Sequence, residues 1–193
     1  MKLYLFDFDG TISKTDSMIE FFKYIHGINF YFILIKSIPS IVKFKLNIIS
    51  KKEFKNTFIL HFLYNINENQ IDVLSNEFAD YYIKNLKISA LNYIKKLQED
   101  EQNHITIVSA SLDIWIKPIA RLIGVNYICT LSKFKNNFFI GIKGENCWGK
   151  NKVRRIKEIY HLESYSQIYA FGDSRGDLEM LDLATNRHFN FFV

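Results

Sequence analysis

Leu3-Tyr4-Leu5-Phe6-Asp7-Phe8-Asp9-Gly10-Thr11 is the stretch on which the reading of the whole chain turns. Leu3 to Phe6 is a continuous apolar run of strand length, the pattern of a strand buried on both faces of a parallel sheet. It runs into two carboxylates. Burying unpaired charge is costly, so Asp7 and Asp9 have no use as packing. They are expected at the carboxyl end of the strand, where open α/β sheets place their ligands. The two side chains are expected to point to opposite sides and to do different jobs. Gly10 then lets the backbone turn and approach a ligand closely.

Outward from this stretch, the pattern alternates. Strands are predicted over 104–109, 125–130 and 167–171, with a hairpin over 134–142 centred on Asn136-Asn137. Helices are predicted over 91–97, 112–123, 152–160 and 177–183. Strands alternating with helices imply an α/β fold, a Rossmann-like parallel sheet with helices on both faces. Residues 14–86 differ, with helical spacing and no strand signal. Thr15 or Asp16 can cap a first helix that stops at Gly27. Pro39 breaks the apolar run 28–49. Ser50-Lys51-Lys52-Glu53 is a capping-box pattern, and Asn67 can cap a further helix. The chain therefore divides into a core, 1–13 and 87–193, and a small all-helical insert, 14–86, placed after the first strand.

The chain has 193 residues, 48% of them hydrophobic, which is enough for a sizeable core. Its net charge of +5 is compatible with an anionic substrate, a nucleic acid or a membrane surface and selects none of them. Cys129 and Cys147 form no CxxC and have no zinc-spaced companions, so they are expected as core or reduced thiols. No 18-residue uncharged apolar run is present, and the first residues enter a strand rather than a leader; the cytoplasm is the expected location.

Three later segments carry candidate chemistry. Ser109 closes the strand Ile107-Val108-Ser109, where its hydroxyl could hold an anion, while Ser111 could cap the following helix. Lys150 and Lys152 open the helix after Cys147-Trp148-Gly149, and either could neutralise an anion. In Phe171-Gly172-Asp173-Ser174-Arg175-Gly176-Asp177 a strand ends, the chain turns, and two acids stand four apart, a donor set suited to a hard cation.

Together these segments resemble, in order, the four motifs of the haloacid dehalogenase superfamily of phosphohydrolases. The resemblance covers nearly all of the chain outside the insert. It implies Asp7 as a nucleophile that forms an aspartyl-phosphate, and Asp9 as general acid and base. It implies a phosphate pocket of Gly10, Thr11, Ser109, Ala110 and Lys152, with Lys152 fitting the family spacing better than Lys150. It implies magnesium held by Asp7, the Asp9 backbone carbonyl, Asp173 and Asp177, the last binding metal waters or bracing Asp173. The insert then is a cap that selects substrate.

The cap, Gly172-Asp173-Ser174 and Cys147-to-Lys152 look like the subfamily containing phosphoserine phosphatase, and Asp16 stands near that enzyme's amino-group acid. Two departures count against phosphoserine itself: no arginine occurs from Met1 to Ile119, and Ala110-Ser111 replaces the expected glycines. Some phosphoserine-phosphatase-like hydrolases act on phosphatidylglycerophosphate. The expected substrate is a small or lipid-linked phosphomonoester; the alternatives are phosphoserine phosphatase proper or a silent binding module. Nucleic acid is not expected as a partner, since no basic stripe is interleaved with stacking aromatics. Between Lys14 and Ile66 eight lysines face three acids, beside the run Phe30 to Ile35. That composition fits either a cap core with a wet lysine face or peripheral contact with an anionic membrane.

Overall fold

The computed structural model describes residues 1–193. Strand β1 is Lys2–Phe6. Five helices follow: α1 Ser17–His26, α2 Asn29–Lys36, α3 Ile38–Lys45, α4 Lys51–Leu63 and α5 Glu68–Tyr82. The rest of the chain is α6 Ile88–Leu97, β2 Asn103–Leu112, α7 Asp113–Leu122, β3 Asn126–Lys135, β4 Phe138–Lys143, α8 Lys150–Ile159, β5 Gln167–Gly172, α9 Leu178–Leu183 and β6 Asn186–Phe189. The strands form one sheet in the order β4-β3-β2-β1-β5-β6, parallel except for the β3–β4 pair. This is the expected Rossmann-like α/β architecture.

The order explains where a ligand can sit. From β1 the chain steps to β2 and β3 on one side, then crosses to β5 on the other. Strand direction around β1 therefore opens a crevice at the carboxyl ends of β1, β2 and β5, the topological switch point of an open sheet. Strand alternation builds the two faces. Leu3 and Leu5 bury against Ile156 of α8 and Met180 and Leu181 of α9. Tyr4 and Phe6 belong to the opposite cluster, which includes Ile94 of α6, Trp115 of α7 and the aromatic residues of α1, α4 and α5.

The inserted helices share that second cluster. Phe22 of α1 stacks on Phe62 of α4 at 4.4 Å between ring centroids, and Phe21 meets Phe78 of α5 at 5.1 Å and Trp115 at 5.2 Å. Their termini follow the local signals. Asp16 caps α1 by accepting from Ile19 N, and Ser50 and Asn67 each close a capping box at α4 and α5.

Four local expectations are corrected. The break in 28–49 falls at Ser37; Pro39 lies in the first turn of α3, where a missing N–H costs nothing. β3 is one strand through Lys135 rather than a strand and a separate hairpin arm, because Leu131 to Lys135 stay in register with β4. The turn does fall on Asn136 and Asn137, both at positive φ. β6 was not predicted; it is a four-residue edge strand with alternating intermediate and exposed positions and no apolar run. Ser111 does not cap α7, whose first residue follows Leu112 without a side-chain cap.

Candidate active site

β1 ends at Phe6, but Asp7 N continues the ladder by donating to Phe171 O of β5 at 2.9 Å. The chain then coils around one carbonyl: the amides of Thr11, Ile12 and Ser13 all donate to Phe8 O. That coil separates the two carboxylates. An extended strand places residues two apart on the same face, so alternation is not what separates them. Each acid instead finds its own partners on either side of the turn.

Asp7 faces α8. Lys152 Nζ donates to Asp7 Oδ1 and to Asp177 Oδ1, both at 2.6 Å, with the lysine side chain 1% exposed. Of the two lysines, Lys152 makes these contacts, while Lys150 is exposed at the start of α8 and makes none. Burial alone would discharge Lys152; the two carboxylates outweigh it and hold the ammonium above its ordinary range. Burial pushes Asp7 up to about 7, opposed by Lys152 and reinforced by Asp177. Asp177 is the better-held acid: burial raises it, but Lys152 and Ser174 outweigh that and keep it below the usual carboxylate range.

Asp177 also organises its own loop. Its Oδ2 accepts from Ser174 N at 3.0 Å and Ser174 Oγ at 2.7 Å. A Cβ on Gly172 would lie 2.5 Å from the Asp177 Cβ, so only glycine lets the strand end pass this close.

Asp9 faces the inserted helices and β2. Its Oδ1 accepts from Ser17 N at 2.7 Å, at the positive end of α1, and its Oδ2 accepts from Ser111 Oγ at 2.6 Å. Ser17 Oγ in turn lies 3.2 Å from Ser111 Oγ and accepts from Trp115 Nε1 at 3.0 Å. Burial, then the charge of Asp16, raises the Asp9 carboxyl, and the serine bonds only partly offset this. The result is an acid held in one orientation with a raised affinity for its proton.

The remaining candidates follow the carboxyl ends of β1 and β2. β2 bulges between Ser109 and Leu112, which takes Ala110 and Ser111 out of the ladder before Leu112 pairs with Thr130. Ser109 Oγ accepts from Ser111 N at 3.0 Å. Ala110 O accepts from Lys55 Nζ of α4 and from Thr130 Oγ1, both at 2.7 Å. Gly10, at φ 87°, presents its carbonyl to Lys87 Nζ at 2.7 Å. The hydroxyl of Thr11 is buried without a partner.

Ser17, Ser111 and Lys55 were missed as site residues. By sequence Ser111 reads as a helix cap, and Lys55 as one of the eight lysines between Lys14 and Ile66. Ser17 and Lys55 come from helices remote in sequence from β2, and no spacing rule links them to it. Lys55 bonds Asn146 Oδ1 as well, and burial brings its ammonium down to about 8.

Asp7, Asp173 and Asp177 each offer an oxygen, and these atoms lie within 4.8 Å of one another. Asp173 Oδ1 is buried with no hydrogen-bond partner. A Cβ on Gly10 would fall 2.0 Å from Asp173 Oδ2, so the glycine leaves room for this carboxylate and whatever it binds. Three carboxylates with one ammonium leave a deficit that a divalent cation would balance, and an all-oxygen donor set suits magnesium. The residues present fit such an ion. The Asp9 carboxylate is committed elsewhere and is not part of the cluster.

A doubly wound sheet with an acidic, lysine-bearing crevice at its switch point and a helical insert after β1 defines the class. Residues 4–182 match the family model described as haloacid dehalogenase-like hydrolase, and the chain belongs to that family. The protein CicA of Caulobacter vibrioides is 27% identical over 193 residues, spanning 98% of this chain and 86% of that protein. A Bordetella pertussis Tohama I protein of unknown function shares the fold at a TM-score of 0.81 and 19% identity, over 96% of this chain and 88% of its own. A substrate-bound phosphoserine phosphatase shares it at 0.66 and 18%, over 97% and 85%. The fold is thus that of the phosphoserine phosphatases within this hydrolase family.

Proposed function

We propose that the chain is a magnesium-dependent phosphomonoester hydrolase that works through an aspartyl-phosphate on Asp7, with residues 14–86 as its substrate-selecting cap. One observation carries this reading: two acids two residues apart, one buried and one half-buried, have different partners. Asp7 lies against a lysine and the acidic cluster, while Asp9 is held away from both by Ser17 and Ser111. Different partners place one carboxylate for attack and hold the other in position for proton transfer.

In the first step an Asp7 oxygen attacks phosphorus, the bond to the ester oxygen breaks, and Asp9 gives its proton to the departing alkoxide. In the second, water attacks the aspartyl-phosphate, Asp9 takes its proton, and inorganic phosphate leaves with Asp7 restored. Lys152 favours the ionised form of Asp7 against the effect of burial and would offset charge as the anionic substrate enters. Ser109, Thr11 and the turn around Gly10 would receive the phosphoryl oxygens. Magnesium held by Asp7, Asp173 and the Asp9 carbonyl, with Asp177 bracing the loop, would neutralise charge on the transferring group.

Phosphate release should be screened with magnesium over phosphoserine, sugar phosphates, nucleotides and phosphatidylglycerophosphate in mixed micelles. Acid-quenched enzyme should carry phosphate on Asp7. Activity retained by Asp7→Asn, or acid-stable label on another residue, would refute the covalent route. The cap offers Lys55 and no arginine towards the crevice, so a planar carboxylate clamp is absent from this side. That supports a substrate other than phosphoserine.

A further inference from the structure

We propose that α2 and α3 form a docking surface for an anionic lipid bilayer. The sequence leaves the apolar run 28–49 open between cap core and membrane contact. Its burial separates the two. Phe30, Ser37 and Ser40 are the only buried residues of α2, α3 and the turn between them. Phe30 stacks on Phe62 at 5.3 Å and ties α2 to the cap core. Ile33 and Leu34 also pack partly on that core, and Phe44 stacks on Phe54, but six other large side chains are exposed: Phe32 at 63%, Ile35 at 60% and Leu46 at 64%, with Tyr31, Ile38 and Val42 beside them. Isolated exposed apolar residues are ordinary, but this many on two consecutive helices mark an interaction surface.

The charge on this segment names the partner. From Phe21 to Lys52 the chain has six lysines and no acid, while the whole chain carries +5; everything outside the segment is therefore left at −1. Lys36, Lys43 and Lys45 are exposed and in no ion pair. Apolar side chains that enter the acyl boundary beside lysines at headgroup level are the make-up of an interfacial helix pair. A protein partner fits poorly, because protein interfaces favour arginine and deplete lysine. A second copy fits poorly too, since it would set two strongly positive faces together. No single helix is long and apolar enough to cross a membrane; α1 and α2 together would be, but they are bent by 119° and α1 is held in the cap core by the buried Phe21 and Phe22, so α2 and α3 would lie on the bilayer. α3 packs on α4, which carries Lys55 to the crevice, so the docked face and the active site share one cap.

The test is sedimentation of the full chain with large vesicles, either phosphatidylcholine alone or one-third phosphatidylglycerol, at low and high salt. Binding should favour the anionic vesicles by about tenfold or more and weaken with salt. Phe32→Ser/Ile35→Ser and Lys43→Glu/Lys45→Glu should each weaken it by about tenfold. All four positions are exposed, so circular dichroism and urea midpoints should match the parent chain. Absence of binding at low salt, or binding that both variants retain, would overturn the proposal. So would a dimer that Phe32→Ser/Ile35→Ser dissolves without affecting vesicle binding, because it would assign the apolar face to a second copy. None of these readouts depends on phosphatase activity.

Discussion

Removing the positive charge of Lys152 while keeping its bulk tests the electrostatic core of the site. Lys152→Met leaves Asp7 and Asp177, both within 2.6 Å of the former ammonium, without a counter-charge, at a position 1% exposed. Breaking a buried ion pair from one side costs about 3–5 kcal/mol, because the surviving charge stays desolvated. The cost should depend on pH with a definite sign. In the parent chain Asp177 lies below its ordinary value, so its contribution is present above that value and is lost only in acid. Lys152 is raised, so its contribution is complete below its ordinary value and is lost only in strong base. Asp7, raised to about 7, costs the parent stability as pH climbs from its ordinary value to about 7, and nothing more beyond.

In the variant both carboxyls move up, so the folded chain holds protons that the unfolded chain has released. Its stability then keeps falling as pH rises past the point where the parent levels off, by up to about 1.4 kcal/mol per pH unit for each titrating group. Urea unfolding in chelator should therefore give a gap of about 3–5 kcal/mol near about pH 8, shrinking to less than half of that near about pH 5. Magnesium should stabilise the variant more than the parent, since it meets one more uncompensated charge. A gap under about 1 kcal/mol, or one equal at both pH values, would refute the claim that Lys152 balances buried charge.

Ser111→Ala removes the hydroxyl 2.6 Å from Asp9 Oδ2 and leaves Ser17 N as the remaining donor. kcat should fall about tenfold with KM little changed, and the limb of the pH–rate profile set by Asp9 should move up, with rescue by Ser111→Thr; an unmoved profile contradicts a positioning role. Gly10→Ala puts a Cβ 2.0 Å from Asp173 Oδ2 at φ 87°. It should cost about 1–2 kcal/mol of backbone strain and weaken magnesium binding by calorimetry; unchanged affinity would remove Asp173 from the metal site. Phe22→Ala empties a fully buried position stacked on Phe62 and should cost about 3–5 kcal/mol in urea at an unchanged m-value; less than about 1.5 would mean the cap core collapses around the gap.

The site's backbone was legible because it depends on one topological fact. Parallel strands deliver their carboxyl ends to one edge, so Asp7, Ser109 and Asp173 meet there although they are far apart in sequence. The capping boxes at Ser50 and Asn67 were legible for the opposite reason: every atom they use lies within three residues. What escaped lies between these ranges. β6 has no apolar signal because an edge strand of intermediate and exposed residues needs none. Ser111 looked like a cap, and its bond to Asp9 spans 102 positions. A serine hydroxyl carries no signature of which remote acid it serves.

Asp9 depends on remote partners in the same way. Its placement next to Asp7 suggests paired chemistry, yet their division of labour does not come from the strand they follow. It comes from the coil around Phe8 O, which gives Asp7 to α8 and Asp9 to α1 and the bulged end of β2. The donors that orient Asp9 belong to three elements: Ser17 on α1, Ser111 at the bulge of β2 and, behind Ser17, Trp115 on α7. Ser17 is also the first residue of the helix that carries Phe21 and Phe22 into the cap core. A shift of α1 that follows cap movement must therefore shift a donor on Asp9. On the proposed mechanism, substrate binding under the cap and proton delivery at Asp9 would be joined through Ser17, while Asp7, anchored to β5 and α8, stands outside that bond.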